Sequence, residues 1–452
     1  MSAPARDPYL ALRYPGYRRY ITGHFLSNVG RQALIAAATW QIYQWTNSAT
    51  ALGLVGLVNV LPLLTFALRG GALADRFDRR VIIRRAMFAS AALSAALVLT
   101  SHYHGYLPGG GVLEAANRGL LRLALLFERH ADPASLRFDN PGLPLLYLIL
   151  FLQAIIRVLA GPSRAAIVPQ LLPAPAVGNA ITWNTSLFEL STVIGPALAG
   201  PIVAYGGYAA AYSLDVFASL VLALVMLDLP LAAGATVVRP PAVSALAGAR
   251  FIRDRQPILA AMTLDLFAVV MGGATALLPI YADRILHVGP IGFGWLRAAP
   301  AIGAALTAIA SSHLPPFRRP GVVMLWAVAG FGLSLCVFSV STSFVLSLAA
   351  LFLSGVCDNI SVVVRHTMVQ LMTPDSLRGR VTAVNQMFIG CSNEVSTLRA
   401  GLSAALLGPV AAAGLGGLGI FGVTLFVAWK WPQLKSVPPL HTLQPDEEAL
   451  PH

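Results

Sequence analysis

Four acidic side chains stand out because they lie inside long apolar stretches, at Glu189, Asp265, Asp358 and Glu394. Ionisable residues at membrane depth are costly and typically mark ion pathways or proton relays. Burial favours the protonated form of a carboxylate and a nearby arginine favours the ionised form, so a conformational change could alternate the two. We therefore expect these carboxylates to be candidates for proton coupling, with Glu189 first among them. Structural ion pairing between helices is the alternative interpretation.

Polar side chains recur along the first apolar stretch, at His24, Asn28, Arg31 and Gln32. Residues three and four apart lie on one face of a helix. This face, together with Arg399 of a later stretch, predicts a polar cavity that binds a substrate, with Arg31 anchoring an anionic group. Ion pairing between helices is again the alternative.

The composition indicates which elements must position these side chains. Hydrophobic residues make up 56% of the chain and charged residues 11%, and the mean hydropathy is +0.70. A soluble domain carries roughly a quarter charged residues, so the chain is predicted to be an integral membrane protein. A crossing helix needs about 20 apolar residues, and short loops favour helices over a barrel. We predict an all-α fold with twelve transmembrane helices, near Tyr20–Trp45, Ala51–Leu68, Val81–Thr100, Leu145–Gly161, Val177–Ala204, Ala209–Leu229, Ile258–Tyr281, Ile291–Ser311, Val322–Val340, Phe344–Val364, Val381–Leu407 and Val410–Trp431.

The basic residues that give the chain its net charge of +12 are concentrated in alternate loops between the predicted spans. Arginines and lysines flank alternate loops, and the intervening short loops carry few of them. By the positive-inside rule these loops and both termini are cytoplasmic, so a nucleic-acid partner is not expected. The residues that set this orientation are Arg13, Arg18, Arg19, Arg76, Arg79, Arg80, Arg84, Arg85, Arg164, Arg250, Arg253, Arg255, Arg318, Arg319, Arg378, Arg380, Lys430 and Lys435.

The two halves of the chain echo each other. Gln170-Leu171 recurs as Gln370-Leu371 and Thr182 recurs as Thr382, at a constant spacing of 200 residues. Such symmetry is expected of transporters built from repeated bundles. The predicted domains are an N-terminal six-helix bundle over residues 1–230 with an outer insert over 101–142, a cytoplasmic linker over 231–256, a C-terminal six-helix bundle over 257–434 and a disordered tail over 435–452.

The outer insert contains a helical stripe of Leu113, Ala116, Leu120, Leu123 and Phe127, with Glu114, Arg118, Arg122 and Arg129 on the opposite face. This pattern predicts an amphipathic helix resting on lipid head groups, and a lid or partner-docking surface is the alternative. No acidic cluster accompanies His102, His104 and His130, so no metal site is expected. In the linker, Val243–Arg255 is predicted to be a helix along the inner membrane surface.

A charged segment joins the second and third apolar stretches and contains Gly71, Asp75, Arg76, Arg79 and Arg80. This G-x-L-A-D-R-x-x-R-R spacing resembles the signature loop of the major facilitator superfamily of transporters. The resemblance implies two pseudo-symmetric six-helix bundles and a cytoplasmic latch between them. Gly71 is expected to allow close helix approach. Asp75 is expected to face the helix that begins near Val381, where Arg378 and Arg380 add positive charge to the helix dipole.

Two further segments resemble superfamily motifs. Gly195, Pro196 and Gly200 resemble the Gly-Pro-rich motif of exporters and antiporters, in which small residues permit close helix packing. Arg157, four residues before Gly161, resembles a buried arginine that is linked to proton coupling. The resemblance therefore adds Arg157 to the proton-coupling candidates.

A narrower resemblance rests on Leu278–Tyr281, Gly294–Pro300, Thr373–Val381 and Gly195–Gly200. Together these segments resemble the enterobactin-exporter branch, also called transmembrane secretion effectors. The resemblance implies a multi-pass protein of the bacterial cytoplasmic membrane that exports siderophores or drugs in exchange for protons. Its expected partners are membrane lipids, a small-molecule substrate and protons, and a monomer suffices.

Other functional classes are weaker interpretations. The sequence has no phosphate-binding loop of an ATP-driven pump, and no nucleophile and base stand at one depth, so neither an enzyme nor a cofactor is expected. Cys336, Cys357 and Cys391 lie in predicted spans without metal-ligand spacing. A lysophospholipid flippase or lipid scramblase with the same fold is the main alternative to an exporter.

Overall fold

The computed structural model describes residues 7–106, 111–129, 133–229, 245–313 and 317–442. Within these ranges the secondary structure is helical and no strand occurs, so the predicted all-α class is confirmed. The helices are α1 (Pro15–Thr46), α2 (Ala49–Arg76), α3 (Arg79–Tyr103), α4 (Gly111–Phe127), α5 (Gly142–Ile167), α6 (Ala174–Val225), α7 (Ala245–Asp254), α8 (Gln256–Gly272), α9 (Leu278–Ile280), α10 (Gly289–His313), α11 (Pro320–Val340), α12 (Phe344–Met372), α13 (Asp375–Leu407) and α14 (Pro409–Lys430).

Nine helical segments in the described ranges are long and apolar enough to cross a membrane. One of them, α6, contains 52 residues and departs from helical geometry at Gly207, where φ is 74° and ψ is 179°. Glycine adopts a positive φ without steric cost, so α6 consists of two arms. Helices α1 and α13 have 32 and 33 residues, also more than the roughly 20 that a crossing needs. The total of twelve crossings stays a prediction.

The segment predicted as one helix over Ile258–Tyr281 is broken. Helix α8 ends at Gly272, and Gly273 takes the left-handed conformation with φ 57°. A 3₁₀ turn at Ala274–Leu277, the short α9 and a π-helical turn at Tyr281–Ile285 follow. A glycine in the left-handed region commonly ends a helix, so the glycine pair explains the break.

The charged segment between α2 and α3 is more helical than the loop that the resemblance implied. Helix α2 continues through Asp75 to Arg76, and only Phe77 and Asp78 separate it from α3. No proline interrupts this end of α2, so the helix extends beyond its apolar part.

The chain forms two compact units. The first comprises Met1–Gln41, Leu61–Asn117 and Asp139–Arg239, and the second comprises Ile42–Val60, Arg118–Phe138 and Pro240–His452. A buried cluster of the first unit includes Tyr17, Tyr20, Ile83 and Met87. A buried cluster of the second includes Phe251, Ile258, Val369 and Val381. The predicted domain boundaries near residues 230 and 256 stay a prediction.

The amphipathic helix predicted in the outer insert is confirmed as α4. All five residues of its predicted apolar stripe are half-buried, and all four charged residues opposite are exposed. The same face also buries Asn117, Ala124 and Glu128. The Asn117 side chain donates a hydrogen bond to the Asn140 carbonyl at 2.8 Å. This face therefore packs against protein, which differs from a helix that rests on lipid head groups alone.

The predicted surface helix of the linker is α7, and it also packs against protein. Phe251 and Ile252 are buried in the cluster that includes Leu377 and Val381, and a Cβ at Gly248 would lie 2.8 Å from the Arg380 carbonyl carbon. Its apolar face is thus covered by the second unit, and its expected position along the inner membrane surface stays a prediction.

Part of the predicted disordered tail is ordered. Val437 and Leu440 are buried, and a 3₁₀ turn spans Leu440–Thr442, because both side chains contribute apolar surface to the protein interior. His130, linker residues 231–244 and tail residues 443–452 lie outside the described residues.

Candidate functional site

The polar face of α1 lies in the first unit. The His24 ring stacks on Tyr20 with ring centroids 5.4 Å apart, and its Nε2 is 3.3 Å from the Asn28 side-chain nitrogen. Asn28 is buried, whereas Arg31 and Gln32 are half-buried. The structure thus brings these four predicted substrate-cavity residues together on one helix.

A buried polar network beside this face centres on Asp215 of α6, which the sequence-based candidates omit. Ser94 of α3 donates a hydrogen bond to Asp215 Oδ2 at 2.6 Å, and Gln153 of α5 donates to Ser94 Oγ at 2.9 Å. Arg31 and Arg164 lie within electrostatic range of the carboxylate. The sequence carries a signal, an acid among apolar residues of a predicted span, but spacing alone does not reveal its depth.

The other predicted charges of the first unit differ in their surroundings. Arg157 on α5 is half-buried and lies within electrostatic range of Arg164. Glu189 on α6 is half-buried. Over the described ranges, no hydrogen bond or salt bridge to the Glu189 carboxylate is found. Arg31, Arg157 and Arg164 therefore give this unit a positively charged interior region, with Asp215 as a counter-charge.

The Gly-Pro segment of α6 packs closely on α1. Gly195, Pro196 and Gly200 are all buried. A Cβ at Gly195 would run into the Cβ of Gln32, and it would lie 3.0 Å from the Val29 carbonyl oxygen. The glycine therefore fixes how closely α6 approaches the polar face of α1.

A buried ion pair joins α8 to α12 in the second unit. Arg365 Nη2 lies 3.0 Å from Asp265 Oδ1, with both side chains at most 8% exposed. Arg365 also donates to Asn385 Oδ1 of α13 at 2.8 Å. The predicted Asp265 is thus a paired charge. Its partner is missed in the sequence because the predicted span ends near Val364, whereas α12 continues to Met372.

Glu394 and Arg399 have structural contacts on α13. Arg297 of α10 lies within electrostatic range of Glu394. Arg399 donates hydrogen bonds to the carbonyl oxygens of Val270 and Met271 at 2.8 and 2.6 Å. Unpaired carbonyls at a helix C-terminus attract cations, so Arg399 stabilises the broken end of α8. Its predicted place in a substrate cavity stays a prediction.

A cavity of about 180 Å³ lies at this break of α8, within the second unit. Of the predicted site residues only Asp358 lines it, and Asn393, Ser354 and Ser396 supply further polar groups. Apolar lining comes from residues that include Phe331 and Leu335. Sites for small molecules are typically apolar hollows with a few polar groups that orient the ligand. The volume of this cavity is below the roughly 300–1,000 Å³ of typical ligand pockets, so the cavity can hold only part of a drug-sized molecule.

The predicted gate residues of the first unit lie around the α2–α3 turn. Asp75 and Arg76 are exposed. Asp78 caps α3 by accepting a hydrogen bond from the Arg80 backbone N–H at 2.8 Å. Arg80 also bonds the Asp78 side chain and thereby lowers the pKa of its carboxyl group. Arg79 is half-buried.

The close approach expected at Gly71 occurs at the preceding residue. A Cβ at Gly71 would meet no atom within 4 Å in the described part of the chain, whereas a Cβ at Gly70 would lie 2.8 Å from the Val158 carbonyl oxygen of α5. The reason is the helical phase: one residue along α2 rotates the contact by about 100°. In the second unit, Arg378 is exposed and Arg380 is half-buried.

The comparison with protein families decides the class. The profile of the transmembrane secretion effector family matches residues 7–110 and 137–445. The chain belongs to this family of the major facilitator superfamily. It is a multi-pass membrane transport protein, as its sequence resemblance implied. The Enterobactin exporter EntS of Shigella boydii serotype 18 and that of Escherichia coli O1:K1 / APEC are each 27% identical over 92% of this chain and 92% of their own length.

Solved structures share the fold. A bacterial homologue of the human lysosomal transporter Spinster has a TM-score of 0.68 at 13% identity, covering 96% of this chain and 100% of that one. The D-xylose–proton symporter has a TM-score of 0.66 at 14% identity, covering 94% and 100%. At such identities the likeness concerns the fold alone, and it confirms the predicted major facilitator architecture.

Proposed function

We propose that this protein is a secondary active exporter of the bacterial cytoplasmic membrane. It moves a siderophore- or drug-like small molecule outward by alternating access, in exchange for protons. The observation that carries the proposal is the alignment of this chain with enterobactin exporters over 92% of its length. The cavity lined by Asp358 is a candidate contact for part of the substrate.

The first unit supplies groups for an anionic part of the substrate. Arg31 anchors that part, and His24, Asn28 and Gln32 on the same face of α1 provide hydrogen bonds. Arg157 and Arg164 lie in the same charged region and strengthen the positive potential. A cation attracts an anionic group more strongly in a low-dielectric interior than in water, which makes Arg31 an effective anchor.

Glu189 is the proposed proton carrier. Asp265 has a close ionic partner in Arg365, whereas the described residues give the Glu189 carboxylate no hydrogen bond or salt bridge. A carboxylate without such a partner can take up a proton with less disruption of the structure. Asp358 and Glu394 remain further candidates for proton coupling. Arg157, in the first unit, is a candidate for adjusting the affinity of Glu189 for the proton.

The orientation follows from charge. Both termini and the arginine-rich loops face the cytoplasm under the positive-inside rule. The cytoplasmic gate of this scheme consists of Asp75 and the arginines of the α2–α3 turn, together with Arg378 and Arg380, whose positive charge adds to that of the α13 N-terminus. The functional halves are residues 1–230 and 257–434, joined by the linker 231–256, and a monomer is the working unit.

Proteoliposomes test the proposal directly, with iron-free enterobactin as the probe because the relatives are named for its export. For molecules with the cytoplasmic face outward, an acidic lumen should drive enterobactin into the lumen, and a protonophore should abolish this accumulation. Glu189→Gln should reduce accumulation to about the level of protein-free vesicles, since an amide cannot carry the proton.

Glu114→Gln, the same change at an exposed residue of α4, serves as the matched control and should transport normally. Gradient-driven accumulation that survives Glu189→Gln would refute the proton role of this residue. Gradient-independent equilibration of a labelled phospholipid, without enterobactin flux, would instead identify a lipid scramblase and overturn the exporter assignment.

A further inference from the structure

Residues 111–136 of the outer insert have no counterpart in the family profile, which matches residues 7–110 and 137–445. The described residues 118–129 and 133–138 of the insert belong to the second unit, as do the start of α2 and the whole of α13. The insert contacts the start of α2 and the end of α13. These contacts are therefore a feature of this chain in addition to what the family profile shares.

Glu128 binds the start of α2. One carboxylate oxygen accepts a hydrogen bond from the Ser48 hydroxyl at 2.6 Å and another from the Thr50 backbone N–H at 2.9 Å. Ser48 Oγ in turn accepts the Ala51 N–H at 3.1 Å. A buried carboxylate is costly unless hydrogen bonds compensate it, and the positive end of a helix stabilises it further. Glu128 therefore acts as a cap that a distant segment supplies to α2.

The next residue binds the end of α13. The Arg129 backbone N–H donates a hydrogen bond to the Ala405 carbonyl at 3.0 Å. Adjacent Cα atoms are only 3.8 Å apart. The start of α2 and the end of α13 are therefore tied to neighbouring residues of one segment. They cannot separate by several ångströms unless the Glu128 cap or the Arg129 hydrogen bond breaks.

The helices that these contacts join are packed backbone to backbone. A Cβ at Gly53 of α2 would lie 3.1 Å from the Gly401 Cα of α13, and a Cβ at Gly56 would lie 2.9 Å from the Thr397 Cβ. The insert also holds the α1–α2 connection, because the Arg137 N–H donates to the Thr46 carbonyl at 3.1 Å. The contacts of the insert at the helix ends and the glycine contacts along α2 thus both hold α2 and α13 close together.

We propose that Glu128 and Arg129 form a latch that holds the outer ends of α2 and α13 together and opposes opening of the transporter to the outside. The inference rests on the proposed alternating access and on the proposed orientation. Glu128 is a positioning residue in this scheme, since it contacts α2 and takes no part in binding the substrate. Each transport cycle must break the latch before the substrate can leave.

Cysteine accessibility tests the latch without any substrate. Thr397→Cys is introduced after Cys336, Cys357 and Cys391 are replaced by serine, and a membrane-impermeant maleimide is applied from outside. Glu128→Ala should raise the labelling rate about tenfold, because it removes two hydrogen bonds to a charged group. Glu128→Gln, which keeps the acceptor but loses the charge, should give a smaller increase. The exposed Glu114→Gln should leave the rate unchanged.

An unchanged labelling rate in Glu128→Ala, with the thermal unfolding temperature Tm preserved, would overturn the latch. If that variant does not fold, replacement of residues 111–136 by a short Gly-Ser linker provides the second test, since the family fold has no counterpart of this segment. The labelling rate of Thr397→Cys in this deletion variant must then rise about tenfold or more. The labelling assay tests the latch and the enterobactin flux assay tests export. An unchanged labelling rate would refute the latch alone, whereas absence of gradient-driven flux in the wild-type protein would refute the export proposal.

Discussion

At the scale of single residues, the Asp265–Arg365 pair allows a test of whether Asp265 stabilises the fold or carries a proton. Removing one partner of a buried ion pair leaves the other uncompensated, at a cost of about 3–5 kcal/mol. We expect Asp265→Asn to lower Tm in detergent strongly. The double variant Asp265→Asn/Arg365→Gln should recover most of the loss, because neither charge then remains unpaired.

Asp254 provides the matched control, since it is 66% exposed and lies 3.5 Å from Arg253. An exposed pair contributes about 0–1 kcal/mol, so Asp254→Asn should leave Tm nearly unchanged. If Asp265→Asn kept the wild-type Tm and lost only gradient-driven flux, Asp265 would return to the list of proton carriers.

At the scale of elements, Gly195 sets the contact between α6 and α1. Gly195→Ala should destabilise the protein by about 1–3 kcal/mol, because even a methyl group would overpack against Gln32. Gly178→Ala on the same helix is the control. A Cβ there would meet nothing within 4 Å among the described residues, and alanine favours helix over glycine by up to about 1 kcal/mol. Equal Tm values for the two variants would contradict this packing role.

Apolar runs in the sequence predicted the helices well, because a helix must satisfy its own backbone in lipid. They predicted the ends less well. The extension of α12 carries Arg365 beyond the predicted span, and the carbonyl groups at the broken end of α8 are bound by Arg399, which is distant in sequence. Asp215 and Glu128 act through tertiary contacts with Ser94 and Thr50, and no local pattern encodes such contacts. The helical faces were therefore predictable, whereas the partners of buried charges were not.

At the scale of the whole molecule, the number of times that α6 crosses the membrane determines on which side each later loop lies. A straight helix of 52 residues would be about 78 Å long, far more than the hydrocarbon thickness of about 30 Å. Two arms that meet at Gly207 return the chain to the starting side, whereas a single crossing would not. Residues before α3 and after α10 then share a side only if α6 crosses twice.

Cysteine labelling in intact and permeabilised cells measures this parity. Arg76→Cys and Arg318→Cys, both at exposed positions, should react with an impermeant maleimide only after permeabilisation, because α3, α5, the two arms of α6, the α8–α9 segment and α10 make an even number of crossings between them. Val340→Cys, 72% exposed at the far end of α11, should react in intact cells, because one crossing separates it from Arg318. If Arg76 and Arg318 react on opposite sides, either α6 crosses once or another helix does not cross. The proposed cytoplasmic gate and the outer position of the insert would then both be wrong.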